Sequence, residues 1–277
     1  MKKVLGIVSS PRRTGNSEIL VKEMLSVLPA EVERKLINVT TMRFEECTAC
    51  YACLPEGCKC VIKDDLETFL EQILWADAVI IGAPCYFLGM HTTLKKIGDR
   101  MISVLREGKR FSGRKCVVAV PYGIEGWDGI GLEATVNFAR FLHLDVVGRM
   151  SVNAANPGEV ATPEVIAQVR ELAMKLLSEK PANLATANAD ALCCPVCGSG
   201  VFRLLREGSA CCPSCGATGR IRNDAGKISL DFHAEEPIRF SLEGMEEHGA
   251  RLEATKERYM ADRQRLAELR RKYRDMS

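Results

Sequence analysis

The 277-residue chain has no run of about 18 apolar residues, so no helix is expected to span a membrane. It has no large excess of either charge. Its 38 basic and 36 acidic residues leave a formal net charge of +2, which argues against nucleic acid or an anionic membrane as the main partner. Neither G-x-G-x-x-G nor G-x-x-x-x-G-K-[ST] occurs, which disfavours the usual dinucleotide loop and the nucleotide P-loop. The N-terminus, MKKVLGIVSSPRR, has too short an apolar run for a secretion signal. It reads as a first strand, and a cytoplasmic location is expected.

Cysteine, by contrast, is abundant. Of thirteen, five fall within 47–60 and six within 193–215, leaving Cys85 and Cys116 alone. Without a secretion signal, clusters this tight favour metal over disulfides.

The first 180 residues alternate strand and helix. Strands are expected at 3–9, a continuous apolar run, and at 32–40, 78–84, 116–122 and 144–153, with helices at 17–28, 64–75, 91–106, 130–142 and 163–177. Five strands alternating with five helices predict an α/β domain with a doubly wound, five-stranded parallel sheet over 1–179. A linker low in bulky apolar groups is expected at 180–191, a cysteine module at 192–235, and a charged helix over 236–277. That helix either lies solvated on its own domain or meets another subunit.

In such a sheet, ligands bind beyond the carboxyl ends of the strands. Three loops there are unusual. SSPRRTGNS (9–17) leads straight into a helix, where Ser9, Ser10, Thr14, Gly15, Asn16 and Ser17 offer hydroxyls and unhindered amides to an anion. Arg12 or Arg13 can add charge, and a short phosphate monoester fits better than a dinucleotide, although such turns also cap helices without a ligand. APCYFLGM (83–90) brings Pro84, Cys85, Tyr86, Phe87, Leu88 and Met90 to the same edge, as local packing or as a wall for a flat aromatic ligand. PYGIEGWDGIG (121–131) supplies Tyr122, Gly123 and Trp127, a flexible loop whose indole could cover a ring or be buried.

SSPRRTGNS and APCYFLGM, with the downstream Leu94-Lys95 and Asp99-Arg100, resemble the NADPH-dependent FMN reductases of flavodoxin-like fold. The ladder Cys47-x2-Cys50-x2-Cys53, ahead of Lys63-Asp64-Asp65, is similar to that of the iron–sulfur flavoproteins. The resemblance covers about residues 1–177. It implies FMN, with Ser10, Arg12, Thr14, Asn16 and Ser17 near the phosphate. Pro84, Tyr86 and Phe87 would lie near the ring or ribityl chain, with the loop after Tyr122 on its other side. It further implies a homodimer or homotetramer in which subunit contacts complete the flavin site.

The family motif needs four cysteine ligands and the chain offers five. Cys47, Cys50 and Cys53 match directly; the fourth is Cys60 by register with Lys63-Asp64-Asp65, with Cys58 as the alternative. A [4Fe–4S] cubane takes one thiolate per iron, which suits a compact ladder, whereas a structural zinc usually takes two separated knuckles. Because the ladder follows the second strand, it is expected on the same sheet edge as the flavin loops.

Cys194-x2-Cys197-Gly and Cys212-x2-Cys215-Gly are two such knuckles, fourteen residues apart and joined by an expected hairpin. They resemble a zinc ribbon, with mononuclear iron as the alternative metal.

The leading expectation is an FMN-dependent oxidoreductase or electron carrier. It would pass electrons between a ferredoxin-like one-electron donor, the cluster, FMN and a small acceptor. The alternative is an NAD(P)H-dependent flavin, quinone or nitroaromatic reductase. An outside reading is a metal-dependent interaction protein built on the ribbon and terminal helix. No catalytic residue is assigned; Tyr86, His91 and Trp127 are candidates near the ring, with His91 expected at an ordinary surface position.

Overall fold

The computed structural model describes residues 2–178 and 192–274, so the linker expected at 180–191 lies outside the described residues. The first domain runs β1 (Lys3–Val8), α1 (Asn16–Ser26), β2 (Glu33–Asn38), α2 (Leu66–Trp75) and β3 (Ala78–Gly82). A small hairpin, β4 (Cys85–Tyr86) and β5 (Gly89–Met90), precedes α3 (Thr92–Asp99) and the short α4 (Gly108–Phe111). Then come β6 (Lys115–Tyr122), α5 (Gly131–Phe141), β7 (Asp145–Asn153) and α6 (Pro163–Met174).

Five strands form one parallel sheet in the order β2-β1-β3-β6-β7, the flavodoxin-like winding. Strand periodicity explains why the central strands β1 and β3 are apolar almost throughout, whereas the edge strand β2 exposes Glu33, Arg34 and Lys35. Leu5, Ile7, Val79 and Ile81 face one buried layer, beside α2, α3 and α5. Their neighbours Val4, Val8, Ala78 and Ile80 face the opposite layer, beside α1 and α6. With both faces covered, neither side of a central strand can be polar.

The helix expected over 91–106 ends earlier: α3 stops at Asp99 and a 3-10 turn covers Met101–Val104. Arg100 is the reason: it leaves the helix to enter an ion pair with Asp64, both side chains fully buried.

The C-terminal part contains β8 (Arg203–Leu204), β9 (Ser209–Cys211), β10 (Thr218–Asp224) and β11 (Lys227–His233) in an antiparallel sheet ordered β11-β10-β9-β8. The β8–β9 pair is the expected hairpin; the β10–β11 hairpin is an addition to it. The terminal helix α7 (Leu242–Arg274) starts six residues later than expected. Its first turns lie on the first domain, where Arg106 pairs with Glu246 at 3.0 Å and Glu253 at 2.9 Å, and Met245 is buried. Farther along, Tyr259, Met260, Leu269 and Tyr273 are exposed. Among the described residues, no helix is long and apolar enough to cross a membrane.

Candidate functional site

The strand order reverses around β1, and the loops after β1, β3, β6 and β7 converge there on a cleft of ≈ 210 Å³. Ser10, Arg12, Asn16, Ser17, Pro84, Cys85, Tyr86, Tyr122 and Gly123 line it. So do Pro121, Ile124, Ala154 and Ala155, which sequence reasoning did not single out. One end of the cleft is built from the N-terminus of α1. That helix begins at Asn16 after Gly15 with no side-chain cap, leaving its first amides open to a ligand. Ser10 and Ser17 are buried there, and Ser17 Oγ has no hydrogen-bond partner. A buried hydroxyl without a partner beside an uncapped helix start suits a phosphate monoester.

Several expected residues also make bonds within the protein, and some lie outside the cleft lining. The Asn16 amide donates to Ala154 O at 3.0 Å and accepts from Gly158 N at 2.9 Å, so it ties α1 to the loop after β7. Arg12 Nη1 likewise donates to Ala155 O at 3.2 Å. Thr14 is exposed, and its amide donates to Glu18 at 2.7 Å. Ser9 lies behind the cleft, 3.0 Å from His91 Nδ1. His91 is buried rather than at the surface: it caps α3 by accepting from Thr93 N, and burial lowers its pKa.

At the other end the β4–β5 hairpin turns on Phe87 and Leu88, with φ of 47° and 64°. Two bulky residues in the left-handed region are strained, and Phe87 is fully solvent-exposed. Tyr86, Leu88, Ile124, Trp127 and Ile130 are also exposed, so the mouth carries an apolar, aromatic rim. Cys85 is not poised for nucleophilic chemistry. Its thiol contacts Asp128 O at 3.1 Å, and burial, then the Asp128 charge, raise its pKa.

A second cavity, of ≈ 170 Å³, is lined by Cys47, Cys50, Cys53 and Cys60, with Asp99, Arg100 and Ile102 from the end of α3. Cys58 is exposed and is not part of this lining. Around Cys50, Ala49 and Tyr51 take φ of 51° and 56°. The Ala49 amide there donates to Cys47 Sγ at 3.4 Å. Cys53 feels its neighbours: burial first, then the charges of Cys60, Cys50 and Cys47, push its thiol up to about 11. Separately bound irons need thiolates around a cubane rather than on one point. In keeping with that, among the described residues only the C-terminal quartet converges within 4.8 Å.

Between β2 and the ladder, the chain keeps contact with the loop after β1. Asn38 and Thr40 do reach the flavin loop, both donating to Ser10 O. Farther on, Glu46 pairs with Lys96 of α3 at 3.6 Å, and Arg100, just past the end of that helix, lines the ladder cavity.

The C-terminal quartet is Cys194, Cys197, Cys212 and Cys215, all buried. Its Sγ pairs lie at 3.7 Å (Cys194–Cys215) and 3.6 Å (Cys197–Cys212). A tetrahedron with metal–sulfur bonds near 2.3 Å has edges of about 3.8 Å, so one ion fits. Gly198 and Gly216, at φ of 72° and 84°, donate to Cys194 O and Cys212 O at 2.7 and 2.9 Å, making the two knuckles alike. Cys193 and Cys211 stand outside the quartet. The module rests on α5: Arg140 donates to Cys197 O at 2.5 Å and stacks on Phe240, and Asn137 meets Ser214 at 3.2 Å.

Residues 2–158 match the family profile described as NADPH-dependent FMN reductase. An iron–sulfur flavoprotein of Methanosarcina thermophila is 32% identical over 135 residues, covering 48% of this chain and 69% of that protein. One from Methanocaldococcus jannaschii is 39% identical over 99 residues, 35% of this chain and 51% of that protein.

The chain belongs to the NADPH-dependent FMN reductase family.

Within it, the similarity is to the iron–sulfur flavoproteins. The chain spans about half the length of the first curated relatives it matches, 51% and 46%. A solved flavone reductase has the same fold over 97% of this chain and 96% of its own, with a TM-score of 0.73 at 22% identity. The site residues that sequence reasoning missed in this family member had a readable signal. Ala154-Ala155-Asn156-Pro157-Gly158 is a turn at the carboxyl end of the last strand, a position as favoured as the three loops chosen.

Proposed function

We propose that the chain is an FMN- and [4Fe–4S]-dependent oxidoreductase that takes single electrons from a ferredoxin-like donor and delivers them to a small acceptor at the flavin cleft. The observation that carries this reading is the presence of two cavities, one with a phosphate-suited end and one lined by four cysteines. FMN, when bound, exchanges one or two electrons and a cubane one, so the pair suits conversion between one- and two-electron chemistry.

The residues would share the work as follows. Ser10, Ser17 and the open amides of α1 hold the phosphate, while Arg12, braced on Ala155, adds charge beside it. Pro84, Tyr86, Tyr122 and Gly123 flank the ring. The exposed rim of Phe87, Leu88 and Trp127 is covered by a second subunit, which closes the cleft to water. Cys47, Cys50, Cys53 and Cys60 are the cluster ligands. The Cys194, Cys197, Cys212 and Cys215 quartet holds structural zinc, consistent with its closed, fully buried ligand set.

A second reading takes its electrons from NAD(P)H, which the family description favours. Anaerobic absorption spectroscopy separates the two. Flavin and cluster bands that bleach with reduced ferredoxin but not with NAD(P)H support the first; rapid bleaching by NAD(P)H alone supports the second. Protein that binds no flavin refutes both.

A further inference from the structure

Arg100 and Asp64 form the most deeply buried ion pair among the described residues, with side chains 1% and 0% exposed. Such a pair is poor evidence for stability, because desolvating both charges offsets their attraction. Its placement suggests another use. Arg100 lines the ladder cavity, where Nη2 donates to Cys60 Sγ at 3.3 Å. Nη1 donates to Asp64 and to Glu45 O at 3.3 Å, while the buried Nε has no partner. Asp64 is itself fixed by the amides of Glu45 at 2.7 Å and Leu66 at 3.2 Å. The carboxylate therefore aims the guanidinium, and the guanidinium aims one N–H at one ladder sulfur. The other charged group on the cavity wall, Asp99, is paired with Lys95.

A cubane held by four thiolates is anionic and gains one more negative charge when reduced. An N–H donor and a buried positive charge at a ligand sulfur favour the more negative state. We propose that Arg100, held by Asp64, is a positioning residue that raises the reduction potential of the cluster by hydrogen-bonding the Cys60 sulfur. The step it tunes is a one-electron transfer from the ferredoxin-like donor to the cluster, with no bond made or broken. The inference rests on reading Cys47, Cys50, Cys53 and Cys60 as the cluster ligands.

The test is a redox titration of the full-length, cluster-loaded protein, followed by electron paramagnetic resonance. It compares wild type with the double variant D64N/R100M, which removes the pair together and leaves no orphaned charge, and with R100K, which keeps the charge without the planar fork. The double variant is expected to retain its iron and bind FMN as before. Its reduction equilibrium should shift at least tenfold toward the oxidised cluster, about 59 mV lower for a one-electron couple. An unchanged potential in the iron-replete double variant overturns the proposal. Should the double variant lose its iron, R100K decides: a lowered potential supports the role, and a wild-type potential overturns it. Wild-type protein without cluster iron would refute the ligand reading itself, and this inference with it.

Discussion

Gly82, the last residue of β3, links the packing of the sheet to the phosphate end of the cleft. A β-carbon there would lie 2.5 Å from Val21 Cγ2 and 2.7 Å from the backbone oxygen of Ser17. Neither neighbour can yield cheaply. Val21 is fully buried, and Ser17 belongs to the first turn of α1. Gly82→Ala must therefore push the start of α1 outward by several tenths of an ångström, and overpacking of this kind costs about 1–3 kcal/mol. For a chain of this size that lowers Tm by roughly 2–12 °C. The same displacement moves Ser17 Oγ and the open amides away from their ligand. Losing one well-placed hydrogen bond, about 1.4 kcal/mol, weakens FMN binding about tenfold. The assay is a thermal melt of the flavin-free protein together with FMN titration by fluorescence quenching. Gly98→Ala is the control: its β-carbon meets only Phe138 at 3.4 Å and Met90 at 3.8 Å, and alanine inside a helix gains about 0.5–1 kcal/mol. If Gly82→Ala melts and binds FMN like wild type, the argument that β3 packing sets the phosphate turn is wrong.

Other perturbations follow from the same geometry. Asp64→Asn alone strands the buried Arg100 guanidinium and should cost about 3–5 kcal/mol, a Tm loss of roughly 6–20 °C by calorimetry. His91 and His143 are buried, and burial lowers the pKa of both below the ordinary 6.5. Unfolded imidazoles bind protons first, so this stability is complete above about pH 6.5 and declines as pH falls below it. Melts between about pH 7 and about pH 5.5 should show the decline, and His143→Asn should flatten it; Asn tolerates the positive φ of 55° at that position. Cys212→Ser should release about one zinc per chain and expose the 192–241 segment to limited proteolysis, with FMN binding unchanged.

Much of this was readable in the sequence for definite physical reasons. A strand buried on both faces must be apolar at every position, so KVLGIVS and AVIIG announced the parallel sheet. The two C-x2-C-G knuckles announced themselves because Gly198 and Gly216 need positive φ. The β10–β11 hairpin carried a signal that went unused, the turn Asp224-Ala225-Gly226 between Thr218–Asp224 and Lys227–His233. Other features had no local signal. Phe87 and Leu88 make a turn that usually calls for Gly or Asn, and the partner of its backbone, Ile130 N donating to Leu88 O at 2.8 Å, lies forty-two residues away. The contact of Arg100 with Cys60 joins residues forty positions apart. The choice between Cys58 and Cys60 was likewise open in spacing, and the fold groups Cys60 with the other three.

Iron analysis of two single variants bears most directly on the central claim, that the ladder cavity is a cluster site beside a flavin cleft. With FMN retained in both, Cys60→Ser should lose the cluster absorption and the roughly four irons per chain of a cubane, while Cys58→Ser should keep them. Full iron in Cys60→Ser, or its loss in Cys58→Ser alone, would contradict the account.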